Sequence, residues 1–110
     1  MIINKTKNKI ISKKEIVCRN IFSQSLGLMF RKKQNLLMIF NKEMKVRLHN
    51  FFVFFPIGVL ILNEKMEIVE IKRNFRPFTF WNSKEKGKYV VELGFKSDYE
   101  SGDMLEIRKI

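Results

Sequence analysis

His49 and Cys18 are the side chains of this chain with the widest chemical reach, and there is one of each. A closed zinc site needs four ligands of this kind, so two cannot build one within a single chain. A thiol beside an imidazole has the makings of a nucleophilic dyad, but nothing in the spacing of Cys18 and His49 joins them. Serines occur without a G-x-S-x-G elbow, and no glycine-rich loop could cradle a phosphate. Asp98, Glu100 and Asp103 lie close together without the order of a calcium loop, and read as a solvated turn. The chain therefore spells out no catalytic constellation and calls for no cofactor.

Binding chemistry is better represented. His49 stands next to an aromatic cluster, Phe51, Phe52, Phe54 and Phe55. It reads as a partly buried histidine satisfied by backbone, or as a polar group at a pocket mouth where neutral imidazole orients a ligand. Arg31 and Arg76 both adjoin aromatic residues. Either guanidinium can tie an irregular turn to backbone carbonyls, pair with Glu92, or bind an anion. The candidate ligand site is a pocket lined by Phe51, Phe52, Phe54 and Trp81 and gated by His49, Arg31 and Arg76. Phe78, Phe80 and Trp81, interleaved with Arg73 and Arg76, form either a second edge of the core or a platform for stacking bases.

Charge bears on the choice of partner. The net charge of +11 lies almost entirely in residues 1–55, where twelve Lys/Arg oppose only Glu15 and Glu43. A one-sided field of this kind attracts polyanions, so nucleic acid is a partner to consider through the basic first half. The chain also has no alanine and is rich in Ile, Lys, Asn and Phe. That pattern accompanies AT-biased coding, which raises lysine without functional demand. The chain shows no RNA-recognition signature, helix-turn-helix or zinc finger.

The elements that must position these residues follow from length and hydropathy. A chain of 110 residues is expected to form one domain with its own core. Residues 48–62 are the most apolar stretch and belong at the heart of that core, since Pro56 interrupts a run too short to span a bilayer. No signal-peptide, lipidation or stop-transfer pattern is present, so a cytoplasmic location without membrane attachment is expected. Strands are expected at Lys9 to Ser12, Glu15 to Arg19, Asn35 to Phe40, Val46 to Phe52, Ile57 to Leu62, Glu67 to Arg73, Tyr89 to Leu93 and Met104 to Lys109. Turns are expected at Asn41-Lys42-Glu43 and Asn63 to Met66, an edge piece at Phe78 to Trp81 and a charged loop at Ser83 to Lys88. Asn20 caps a short predicted helix through Met29, with Phe22, Leu26 and Met29 on one face. The expected fold is α+β and mainly antiparallel, a curled sheet or partial barrel with one short helix.

Taken in order, several short motifs resemble the domain-of-unknown-function 192 family, its archaeal branch most closely. They are Leu26-Gly27-Leu28-Met29-Phe30-Arg31, the strand Leu37–Phe40, His49-x-Phe51-Phe52 and Phe55-Pro56-Ile57. They continue with Ile68-Val69-Glu70, Arg76-Pro77, Tyr89-Val90-Val91-Glu92-Leu93 and Gly102-Asp103. The resemblance implies a small, mostly-β single domain and brings no established activity. The family pattern usually continues Pro-Ile with an aspartate, where this chain has Gly58. The expected function is a non-catalytic module that binds a small ligand or a protein partner; the alternatives are a basic nucleic-acid-binding accessory protein and an enzyme of unknown class.

Overall fold

β-Branched and aromatic residues fill the apolar runs of this chain, and the computed structural model turns them into sheet. It describes every residue except 21–23, 25–27, 30, 52 and 110. The strands are β1 (Ile2–Asn4), β2 (Lys9–Ser12), β3 (Glu15–Cys18), β4 (Asn35–His49), β5 (Ile57–Leu62), β6 (Ile68–Phe75), β7 (Phe80–Leu93) and β8 (Leu105–Ile107). They form a five-stranded sheet in the order β3-β4-β7-β5-β6 and a three-stranded sheet in the order β2-β1-β8. All pairings are antiparallel except β3 with β4.

This corrects the expected architecture. The fold is all-β and not α+β, and neither sheet closes into a barrel. No helical element is built among the described residues. Most of the segment expected to be helical, Asn20 to Met29, lies outside them, and its described part shows one helical-type bond, from the Gln24 amide to the Asn20 carbonyl.

The second correction concerns turns that do not form. Asn41-Lys42-Glu43 lies inside β4, a single strand of 15 residues, and Ser83 to Lys88 lies inside β7, a strand of 14. The two pair along most of their length, with irregularities in register between Ile39 and Met44 and between Lys45 and Arg47. Gly87 and Lys86 pair with Met44 and Lys45 within these strands, while Asn41 to Glu43 occupy an irregularity of the register with no partner directly opposite. Lys9 to Ser12 is a strand as expected and Glu15 to Arg19 is one as far as Cys18, but the two enter different sheets.

The five-stranded sheet is covered on both faces, which explains why its inner strands are continuously apolar. Leu37, Leu60, Leu62, Val91 and Leu93 face the small sheet and pack with Ile2, Ile11 and Leu105. Leu36, Val59, Ile61 and Val90 face the opposite way, toward Cys18, Leu28, Val53 and Phe75. Val59 to Leu62 are fully buried, but Phe54 in the same apolar stretch is 66% exposed. The run from Leu48 to Leu62 is thus only partly core.

Polar side chains tie the layers. Asn35 of β4 donates from Nδ2 to Ser12 Oγ of β2 at 2.9 Å and accepts from the Gly94 amide at 3.0 Å. Asn4 of β1 donates to Asp103 Oδ2 at 2.7 Å, in a buried bond. Asp98 is held by Lys7 and Lys9, which keep its carboxyl below the usual carboxylate range. No helix among the described residues is long and apolar enough to cross a membrane.

Candidate functional site

Strand β7 is the middle strand of the large sheet, and it carries an acid where its neighbours carry aliphatic groups. Glu92 is opposite Leu36 on one side and Val59 on the other. Alternation along the strand turns it to the same face as Val90. Only 4% of Glu92 is exposed. No ion pair or hydrogen bond to its carboxylate is formed among the described residues. Loss of hydration without a compensating partner raises its pKa from 4.5 to about 7.

The carboxyl lines a cavity of about 330 Å³. Apolar walls come from Leu28, Met38, Phe40 and Val53, and polar groups from Gln24, Lys45, Arg47, His49 and Asn50. β3 pairs only with Asn35 to Met38, so the remainder of β4 has β7 as its strand partner along one edge. Gln24 is tied to β4 and β3, donating from Nε2 to the Ile39 carbonyl at 2.9 Å and to the Cys18 carbonyl at 3.3 Å. Its amide oxygen remains an acceptor.

His49 closes β4 at the cavity wall. Its Nδ1 accepts the Phe51 amide hydrogen at 3.3 Å, so the neutral ring carries its proton on Nε2. The ring lies 5.3 Å from that of Phe51, which also lines the cavity. Asn50 is buried and rigidifies the next turn, donating to the Phe75 carbonyl at 3.0 Å. Its backbone bonds with Phe78 and Thr79 join that turn to the start of β7.

The structure divides the residues singled out from the sequence. His49 and Phe51 reach the cavity. Phe52 lies outside the described residues. Arg31, Phe54, Arg76 and Trp81 do not line the cavity; Arg31 and Arg76 are exposed, and Trp81 packs against the core. Phe54, Phe78 and Phe80 form an outer aromatic face, 66%, 53% and 73% exposed, with Phe51 and Phe80 in edge contact at 4.8 Å. Phe78 adopts a positive φ of 60°, an uncommon backbone state for an aromatic residue. Cys18 is buried in the core and does not line the cavity.

Sequence reasoning treated Glu92 only as a partner for an arginine. The signal available was an acid in the run Tyr89-Val90-Val91-Glu92-Leu93, where both faces of a covered strand would be apolar.

A sequence profile of the family DUF192, described as Uncharacterized ACR, matches residues 2–106. A UPF0127 protein of Thermococcus sibiricus is 33% identical over 96 residues, 84% of this chain. The chain spans only 62% of that relative's length. A UPF0127 protein of Pyrococcus furiosus is 34% identical over 94 residues, covering 82% of this chain and 79% of the relative. A crystal structure of a candidate transcription regulator from Sinorhizobium meliloti superposes with a TM-score of 0.81 at 21% identity, over 96% of this chain and 88% of that one. A protein of unknown function from Novosphingobium aromaticivorans gives a TM-score of 0.81 at 18% identity, over 96% and 82%. At such identities the two solved structures speak for the fold alone.

Glu92 should make stability depend on pH in a definite direction. Its pKa is higher in the folded protein than the ordinary 4.5, so the folded state holds the proton more tightly. Stability is then greatest below pH 4.5 and falls as pH rises to about 7, by about 3 kcal/mol. Urea unfolding from pH 4 to 8 should show this fall in the wild type minus Glu92→Gln difference. A flat difference would mean that Glu92 is hydrated or paired.

Proposed function

The chain belongs to the DUF192 family, and from that starting point we propose that it is a non-catalytic module binding a small apolar molecule that carries an amine. The observation that carries this reading is the partnerless Glu92 carboxyl in a cavity walled partly by Leu28, Met38, Phe40 and Val53. A buried carboxylate is costly unless a cation meets it, and a ligand ammonium would be that cation. Binding would return Glu92 to its charged form, while Leu28, Met38 and Val53 cover the apolar body. The His49 Nε2–H and the Gln24 amide oxygen offer a donor and an acceptor to orient it.

The arrangement also accounts for an acid that folding alone would not favour. Glu92→Leu should stabilise the unliganded protein by about 1–4 kcal/mol, because it replaces an unpaired buried carboxyl by packing. Benzylamine is a suitable probe. At about 100 times its dissociation constant it should stabilise the wild type by about 2.7 kcal/mol and leave Glu92→Leu unmoved. Equal stabilisation of both proteins, or none of either, would contradict the proposal.

A second reading is favoured by the aromatic face. Cross-strand pairing places His49 opposite Phe80 and Arg47 opposite Asn82, so Arg47 shares the outward face with Phe80. Phe54 and Phe78 extend it, and Arg76 belongs to the adjoining turn. Exposed rings beside cations suit the stacked bases and phosphates of a single strand. Affinity for a labelled single-stranded oligonucleotide should fall steeply with salt and by about tenfold in Phe80→Ala. Binding that is flat in salt would remove this reading.

A further inference from the structure

A separate pocket lies beside the Gly58–Leu93 end of the β5–β7 pairing, lined by groups of a different kind. Its volume is about 410 Å³, and its walls include Lys33, Gly58, Arg73, Phe95, Lys96 and Tyr99. No Asp or Glu contributes to that lining. The ion pairs among the described residues engage the N-terminus, Lys7, Lys9 and Arg108, and none engages Lys33, Arg73 or Lys96. Three cations thus surround one concavity without a carboxylate to neutralise them.

Their arrangement is built and not merely crowded. The Arg73 guanidinium lies 4.7 Å from the centre of the Tyr99 ring and donates from Nη2 to the Tyr99 carbonyl at 3.2 Å. Stacking and this bond fix the plane of the guanidinium and leave other N–H groups for a ligand. Lys33 Nζ lies 5.2 Å from the centre of the Phe95 ring, which is 53% exposed. Tyr99 itself is only 9% exposed, and its hydroxyl donates to no group among the described residues. That hydroxyl fills the space beside Gly58, where a Cβ would sit 2.8 Å from it. The Tyr99 hydroxyl lies in the lining that holds Arg73, Lys96 and Lys33, and so does Ser97, whose buried Oγ has no hydrogen-bond partner among the described residues.

We infer that this pocket binds a phosphate monoester, with Arg73 and Tyr99 donating to the phosphoryl oxygens and Lys33 and Lys96 neutralising its charge. A tetrahedral dianion supplies the acceptors that these donors lack, and charge-assisted bonds to it are the strong class. Phe95 at the rim gives a flat surface for an aryl group. The site is separate from the Glu92 cavity and shares none of its lining, so either can fail without the other.

Isothermal titration with inorganic phosphate and with phenyl phosphate tests the assignment. Saturable binding is expected for the wild type, weakened about tenfold or more in Arg73→Gln. Tyr99→Phe keeps the ring beneath Arg73 and should weaken binding about fivefold, with the melting temperature as a control for folding. Gly58→Asp brings a carboxylate to the pocket and should abolish binding. Tighter binding of phenyl phosphate supports an organic phosphate as ligand; equal binding supports free phosphate at the same site. Absence of saturable binding of both probes, or binding untouched by Arg73→Gln and Tyr99→Phe, overturns the inference.

Discussion

Strand β7 hydrogen-bonds to β4 on one side and to β5 on the other, while apolar layers cover both of its faces. A strand held in this way must satisfy its backbone through its neighbours and supply aliphatic groups to both layers. Tyr89 to Leu93 meet that demand at every position except Glu92. Burial of this one carboxyl follows from the sheet order, since Leu36 and Val59 flank it on the two neighbouring strands. The cavity beside it then becomes a place where a polar ligand group is worth more than it would be at the surface. The fold sets the chemistry by deciding where the acid sits.

The same sheet separates the remaining functional groups. His49, Phe51 and Gln24 gather at the cavity because β4 outruns β3, leaving its later residues to be met by Leu28 and by the turn at Asn50. Arg73, Tyr99 and Lys96 gather beside Gly58 because β5 ends its pairing with β7 at Leu93 and the chain then passes over β6. Of the first-half cations, Lys7 and Lys9 pair with Asp98, while Lys33 and Arg47 line different pockets.

Much of the fold is legible in the sequence where hydrophobic pattern controls it. Ile57 to Leu62 has the bounds of β5, which burial dictates, and Lys9 to Ser12 has those of β2, whose first two residues are exposed. The long strands are not legible, because Asn41 to Glu43 and Ser83 to Lys88 have loop-like composition, and the pairing of Met44 and Lys45 with Gly87 and Lys86 that joins them is not visible locally. Pairing partners of β2 and β3 are equally hidden, since Asn35 and Ser12 meet only in three dimensions. The site was half visible: His49 and Phe51 stand out by type, whereas Arg76 and Phe54 share their chemistry but are turned outward by the turns that carry them. Glu92 is ordinary as a residue and unusual only in its place.

The central claim is that Glu92 is a dehydrated acid kept for a ligand cation. It is tested most directly by following the side-chain carboxyl carbon of Glu92 by ¹³C NMR against pH, without and with benzylamine. The account requires a midpoint near 7 in the free protein and a clear downward displacement when the amine binds. An ordinary midpoint near 4.5, or one that the amine leaves in place, would contradict it.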